Sequence, residues 1–318
     1  MNSLRTRGAF TLRDLLMLMS VVGFALTLIL SCINSVRHDI GGRRTVCANN
    51  MRNVGFAMVC YEEARGHYPG WHESIFDGNG ARFSRPMVYE ILPQLERNDI
   101  YERYDAQLHP QDGMPPFDMD VLWCPSSEMA RNRAQPSAAC SYVFNCGMPD
   151  DPSATPGDWP ANGVFHSHYR TGVPYNKGDL VFFGSTFIQR NDGLSSTIMV
   201  SENLDAGPWT DVTELSRGFV WSPLYEGQDF ARINSGRKGE YRGTPHANAR
   251  VSSNHNGIVN VYFCDGHIQP ISDDINYRVF AQLMTPAGGE AAWPGRWIGI
   301  KIPIADGFRN RWVDDSDY

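Results

Sequence analysis

The sequence predicts an α+β protein: a long N-terminal helix that crosses a membrane and continues as a stalk, then a loop-rich, mainly antiparallel β body. Three observations carry this. Leu15–Ile33 is a run of nineteen residues without a charge. Glycine (30) and proline (20) together make 50 of the 318 residues, above the ordinary share of about 12%, which suits turns and short strands better than a helical bundle. Near the C-terminal end, Val259, Val261 and Phe263 alternate with Asn260 and Tyr262 and run into Asp265-Gly266. That is the period-two pattern of a strand entering a hairpin.

At about 1.5 Å rise per residue the uncharged run nearly spans the ~30 Å hydrocarbon core of a bilayer. A secretory signal is the first competing reading, but its apolar region is shorter and no small-x-small cleavage site follows cleanly. Leu30-Ser31-Cys32 leaves a lipoprotein processing site as a second alternative. A buried core helix fits worse, because the run is apolar on every face. Arg5 and Arg7 precede the run, so the positive-inside rule puts residues 1–9 in the cytoplasm and the body outside. Net charge is −7, from 28 basic and 35 acidic residues, with no basic run. No nucleic-acid partner is expected of such a chain.

Gly8-Ala9-Phe10-Thr11-Leu12-Arg13-Asp14-Leu15-Leu16 resembles the prepilin leader motif, Gly before Phe-Thr-Leu-x-Glu-Leu and a long apolar helix. The resemblance implies cleavage next to Phe10 by a prepilin peptidase, methylation of the new amine, and helix packing with other pilin-like subunits in the membrane lipid. It also gives Asp14 the place of the family's fifth-position Glu, a carboxylate that neutralises a neighbouring subunit's N-terminal ammonium. The chain has Ala9 where the family has Gly, and cleavage after Gly8 would make Ala9 the first residue. The organisation expected is a leader over 1–9, a transmembrane helix over 10–36, a stalk over 37–66, an extracytoplasmic body over 67–305 and an acidic tail over 306–318.

Cys47, Met51, Val54, Met58 and Tyr61 follow a 4-3-4-3 spacing that puts them on one helix face. Gly41-Gly42 predicts a bend or melted turn, and Gly66 with Pro69 predicts the stop. Pro86–Tyr104 carries a helical pattern, restarted at Pro93. Strands are predicted at Ser141–Asn145, Leu180–Phe183, Thr197–Ser201, Gly218–Trp221, Ile258–Cys264 and His267–Ile271. The last two form a hairpin on a two-residue turn at Asp265-Gly266, which sets Cys264 opposite His267 and Asn260 opposite Ile271. Ser272 is the expected cap of a last helix carrying Ile275, Val279 and Leu283 on one face.

A second resemblance covers nearly the whole chain. Cys47-Ala48-Asn49-Asn50, Tyr68-Pro69, Ile91-Leu92-Pro93-Gln94-Leu95-Glu96, Cys124-Pro125-Ser126, Asp192-Gly193, Ser201-Glu202 and His255-x9-Asp265-Gly266 occur in the order of one prepilin-like family. The chain resembles the planctomycete-rich family called domain of unknown function 1559. The resemblance implies a pilin-like architecture and a disulfide between Cys47 and Cys124. By residues alone, the six cysteines outside the membrane run allow fifteen pairings. No C-x-x-C occurs, and a straight strand holds Cys140 and Cys146 about 20 Å apart, too far to bridge.

The motif's own residues pose the chemical question. His255, Asp265 and His267 could make a metal or acid–base site, but an extended strand puts His255 about 30 Å from Asp265. The preferred reading is a turn at one end and a separate histidine at the other. His166-Ser167-His168 reads as an exposed loop rather than two ligands. Phe76-Asp77-Gly78-Asn79-Gly80 faintly resembles a calcium loop and lacks the later Glu. Trp123, Trp159, Trp209 and Trp221 suit core packing better than a sugar platform. No catalytic residue, metal or cofactor is expected. The function expected is a pilin-like or pseudopilin-like structural subunit of a type IV pilus or type II secretion-like assembly. It would sit in the inner membrane as a single-pass protein, N-terminus cytoplasmic and body periplasmic or at the cell surface. The alternatives are an anchored extracytoplasmic solute- or carbohydrate-binding module and, more weakly, an anchored hydrolase.

Overall fold

The computed structural model describes residues 12–76, 82–105, 116–127, 137–150, 159–169, 180–235 and 248–293, without the side chains of 27–41, 75–76, 82 and 104–105. The leader residues Gly8, Ala9 and Phe10, the acidic tail and most of the Phe76–Gly80 loop lie outside these. The chain divides into two compact units, Met1–Thr45 and Val46–Tyr318.

Helix α1 runs Leu12–Arg65, with Asp14 in its first turn. In the first unit its apolar residues, Leu12 to Leu26, are exposed on all sides. Among the described residues no helix is long and apolar enough to cross a membrane; the uncharged run continues into residues 27–33, whose side chains are not described. No melted turn interrupts the helix at Gly41-Gly42; it continues through both. Glycine weakens a helix by roughly 1 kcal/mol but keeps its N–H donor, so a long helix tolerates it.

In the second unit, α1 buries Cys47, Met51, Val54, Met58 and Tyr61, the face the spacing predicts. Gly66 ends it at φ +79, its N–H donating to Glu62 O at 2.7 Å. The body is built on a five-stranded sheet of order β5-β3-β4-β6-β7. Its strands are β3 Tyr142–Gly147, β4 Ile198–Glu202, β5 Gly218–Val220, β6 Ile258–Phe263 and β7 Ile268–Ser272. All neighbours are antiparallel except β3 and β5. A separate antiparallel ribbon pairs β1 (His72–Phe76) with β2 (Arg82–Pro86).

Strand alternation gives the sheet two apolar faces. Tyr142, Phe144, Cys146, Tyr262 and Cys264 pack with Met51, Val54 and Met58 of α1. Val143, Val259, Val261, Phe263 and Ile271 pack with Phe280, Leu283 and Met284 of the last helix, α6 (Tyr277–Met284 in our numbering). The approach of α1 to β6 needs Gly55. A Cβ there would stand 2.3 Å from Cε1 of Tyr262, whose ring is buried.

Several local expectations are corrected. Pro86–Tyr104 does hold two helices, but Pro86 ends β2, α2 covers only Met87–Glu90, and the restart is at Asn98 rather than Pro93, with α3 over Asn98–Asp105 (α4, Ser185–Arg190, and α5, Glu214–Arg217, lie further on). Pro93 has no N–H to continue the first helix, and Glu96 sits at φ 59, which forces a turn. Leu180–Phe183 is a loop; its carbonyls accept from Tyr68 N (Phe183 O, 3.0 Å) and His168 Nε2 (Val181 O, 2.9 Å). Asn276, not Ser272, caps α6 by accepting from Arg278 N at 2.9 Å.

The hairpin register is one residue from the expected one. Asn260 faces Pro270 and Tyr262 faces Ile268. The loop is three residues, Cys264-Asp265-Gly266, closed by Gly266 N donating to Phe263 O and Phe263 N donating to His267 O, both at 3.0 Å. Positive φ falls on Gly266 alone, at +96. A turn followed by one left-handed glycine satisfies the strand twist as a two-residue primed turn does, with one more residue.

Candidate functional site

The ordered motif residues of the sequence converge at one edge of the body. On α1, Asn50 donates its side-chain amide to Asp120 O (3.1 Å) and Trp123 O (3.0 Å), fixing the segment that carries Cys124. Cys47 and Cys124 form a disulfide with Cα atoms 4.7 Å apart. Tyr142 on β3 donates to Cys47 O at 2.9 Å. Beyond Cys124, Ser126 O accepts from Asn254, the residue before His255, at 2.8 Å.

Glu202 ends β4, a strand buried along its whole length. It is 2% exposed, and His255 is 7% exposed. A buried carboxylate is tolerated only with donors on it. Asn260 supplies two to Glu202 Oε2, from its backbone N (3.1 Å) and its Nδ2 (3.2 Å). His255 Nε2 lies 3.1 Å from Glu202 Oε1 and 3.6 Å from Cys124 Sγ. The His255 backbone is held by Ser253 Oγ at 3.1 Å. A small recess opens onto Cys124 and Glu202, walled also by Ser127, Ser141, Asn203 and Ser252.

The other half of the motif lies elsewhere. Asp265 accepts from His267 N (3.1 Å) and stands 2.6 Å from His267 Nδ1, in the hairpin loop. The fold therefore does not bring His255 and Asp265 together. Asp265 N donates to Leu194 O at 3.2 Å and Cys264 N to Thr197 O at 2.9 Å, so the loop is sewn to the start of β4. Nearby, Asp192 accepts from Gly288 N at 2.6 Å; burial raises its carboxyl pKa, opposed by that N–H and the Thr285 hydroxyl.

His166 and His168 are buried, which corrects the exposed-loop expectation. His168 lies between Glu73 (2.7 Å) and Val181 O and stacks on Phe182, while His166 Nε2 donates to Gly163 O. Trp123, Trp209 and Trp221 are buried and Trp159 is half-buried, its Nε1 donating to Trp293 O. Cys60, Cys140, Cys146 and Cys264 form no disulfide.

Chemically, the cluster is not a nucleophilic triad. That relay needs the carboxylate on one imidazole nitrogen and the nucleophile on the other. Here one nitrogen faces both, and the sulfur is already bonded. The donor atoms of Cys47, Cys124, Glu202 and His255 all lie within 4.8 Å of one another, a set that could hold a metal. Glu202 and Asn260 had no assigned role in the sequence reading. Their signal was a Glu closing the apolar run Ile198-Met199-Val200 and an Asn between Val259 and Val261, polar residues in strands that must pair once buried.

These features define an α+β body clipped by a disulfide to a long N-terminal helix. The chain belongs to the family described as protein of unknown function (DUF1559), which it matches over residues 41–278. No curated protein and no solved structure matches it.

Proposed function

We propose that the chain is a membrane-anchored, pilin-like or pseudopilin-like structural subunit whose body lies outside the cytoplasm. The observation that carries this is α1. Its N-terminal part presents an apolar surface on every side, from Leu12 to Leu26, and its C-terminal part supplies one wall of the body's core through Met51, Val54 and Met58. Bare apolar surface of that extent needs lipid or like helices around it. The leader-like residues before it, Gly8 to Asp14, support lipid and neighbouring subunits in those roles. The Cys47–Cys124 bridge supports an oxidising compartment.

In this reading the buried motif cluster holds the body together and performs no catalysis. The recess at Glu202 is far smaller than typical small-molecule sites, which weighs against carbohydrate binding at this cluster. The test is site-directed crosslinking along Leu15–Leu26 in native membranes. Homo- or hetero-oligomers that vanish with Asp14→Ala are expected. A monomer under every crosslinking condition would sink the proposal. The N-terminal mass of the natively expressed protein tests the processing that goes with it: cleavage next to Phe10 is expected, and an intact Met1 or a cut beyond Ile33 would reject it.

A further inference from the structure

We propose that Cys47, Cys124, His255 and Glu202 form a transition-metal site, suited first to Zn²⁺, once a dithiol reductant opens the Cys47–Cys124 bridge. The absence of C-x-x-C spacing hides such a site from the sequence. The fold assembles it from α1, the segment after Asp120–Leu122, the end of β4 and the loop before β6.

Four observations converge. The donor set is two sulfurs, one imidazole and one carboxylate, all within 4.8 Å, a ligand chemistry that selects zinc among abundant divalent ions. The spacings agree with one shared ion. With Zn–S near 2.3 Å and Zn–N near 2.05 Å, tetrahedral ligands stand roughly 3.5 Å apart for N and S and roughly 3.3 Å for N and O. His255 Nε2 is 3.6 Å from Cys124 Sγ and 3.1 Å from Glu202 Oε1. One nitrogen facing a carboxylate oxygen and a sulfur is poor geometry for a proton relay and good geometry for a common cation.

The supporting groups are also in place. Asn260 occupies Glu202 Oε2 with two donors, which leaves Oε1 as a single directed ligand. Cys124 and Glu202 also line a small recess beside the otherwise buried set.

The step balances. The dithiol passes two electrons and two protons to the bridge, leaving as its own disulfide, and the S–S bond becomes two thiols. Zn²⁺ then binds both sulfurs and releases those two protons to solvent. The proton that His255 Nε2 donates to Glu202 Oε1 moves to Nδ1, which turns both Nε2 and Oε1 toward the ion. The two sulfurs must part to about 3.8 Å for tetrahedral ligation, by rotation about each Cα–Cβ bond. The ion then replaces the covalent clip between α1 and the body.

The experiment uses the full-length chain in detergent, reduced with a phosphine, freed of it without air, and titrated with Co²⁺. The expected result is one equivalent bound, with thiolate-to-cobalt charge transfer and the strong visible bands of a tetrahedral site. The disulfide form should show neither. His255→Ala should weaken binding about 100-fold or more and Glu202→Gln about tenfold. In reduced wild-type chain, Zn²⁺ should protect Cys47 and Cys124 from alkylation and leave Cys60 unprotected. No uptake by the reduced chain, equal uptake by the disulfide form, or protection of other cysteines would overturn the proposal. The wild-type comparisons decide it even if a variant does not fold.

Discussion

The two ends of the β6–β7 hairpin carry the same chemistry in opposite surroundings. At one end His255 meets Glu202 at 3.1 Å with side chains 5% and 3% exposed; at the other His267 meets Asp265 at 2.6 Å with side chains 38% and 35% exposed. The buried pair joins residues 53 apart in sequence, carries two further donors on its carboxylate and touches the disulfide. The exposed pair joins residues two apart and shapes a turn. Water and salt screen an exposed pair, so it is worth less than about 1 kcal/mol, whereas unmaking a buried one strands its partners. The His-x9-Asp-Gly motif thus spans one strand with a tertiary anchor at its start and a local turn at its end.

The comparison breaks most visibly at the bridge beside the buried pair. Cys47→Ser with Cys124→Ser releases a closure of 77 residues, expected to lower stability by roughly 4 kcal/mol on chain-entropy grounds. Urea unfolding of the full chain measures it, and an unchanged midpoint would mean the clip contributes nothing. Next comes Glu202→Ala, which leaves Asn260 N, Asn260 Nδ2 and His255 Nε2 without their acceptor. A loss of about 3 kcal/mol is expected, against less than about 0.5 kcal/mol for Asp265→Asn, since Asn suits the same turn.

Glu90 sharpens the contrast because its withdrawn Oε1 has no hydrogen-bond partner, unlike either oxygen of Glu202. Its Oε1 stands 3.7 Å from Arg85 Nη1, too long for a hydrogen bond. Burial and the nearby Glu73 charge, outweighing Arg85, push its pKa up to about 7 from 4.5. The folded state therefore holds a proton that the unfolded state has released. Stability from this group is full below about pH 4.5 and falls as pH rises through 7, by at most about 3 kcal/mol. Glu90→Gln should flatten that slope; melts across pH 4.5–8 that superimpose for the two proteins would rule the effect out. The smaller effects are at the exposed end. Gly266→Val puts a β-branched residue at φ +96 and should cost about 1–2 kcal/mol, still more than Asp265→Asn. Thermal melts that reverse that order would make Asp265 the more important residue of the loop.

Local periodicity read well where one element decides the outcome. The face from Cys47 to Tyr61 is buried as its spacing predicts, Gly66 stops α1, and five of the six predicted strands appear within a residue or two. Reading failed where two elements compete. Pro86–Tyr104 has a helical pattern, yet Pro86 is taken by β2 and Glu96 by a turn. The hairpin slipped by one because Asp-Gly is compatible with both a two-residue loop and a three-residue loop, and the choice follows from how Cys264 and Asp265 bond to Thr197 and Leu194. His166 and His168 look like loop residues until Glu73, Gly163 and Val181 close around them.

By itself the sequence determined the long helix and its buried face, the turn positions, the alternation of the strands and, through its ordered motifs, the family and the Cys47–Cys124 pairing. The helix, turns and strands rest on periodicity, backbone restriction and short-range spacing, which a chain carries before it folds; the family and the pairing came from the resemblance that the ordered motifs carry. Only the tertiary structure decided that Glu202, fixed by Asn260, would meet His255 beside that bridge, while Asp265 would keep to its own loop. Burial makes the difference: a carboxylate withdrawn from water must find donors wherever the fold supplies them, and those donors come from strands and loops that no local pattern ties together.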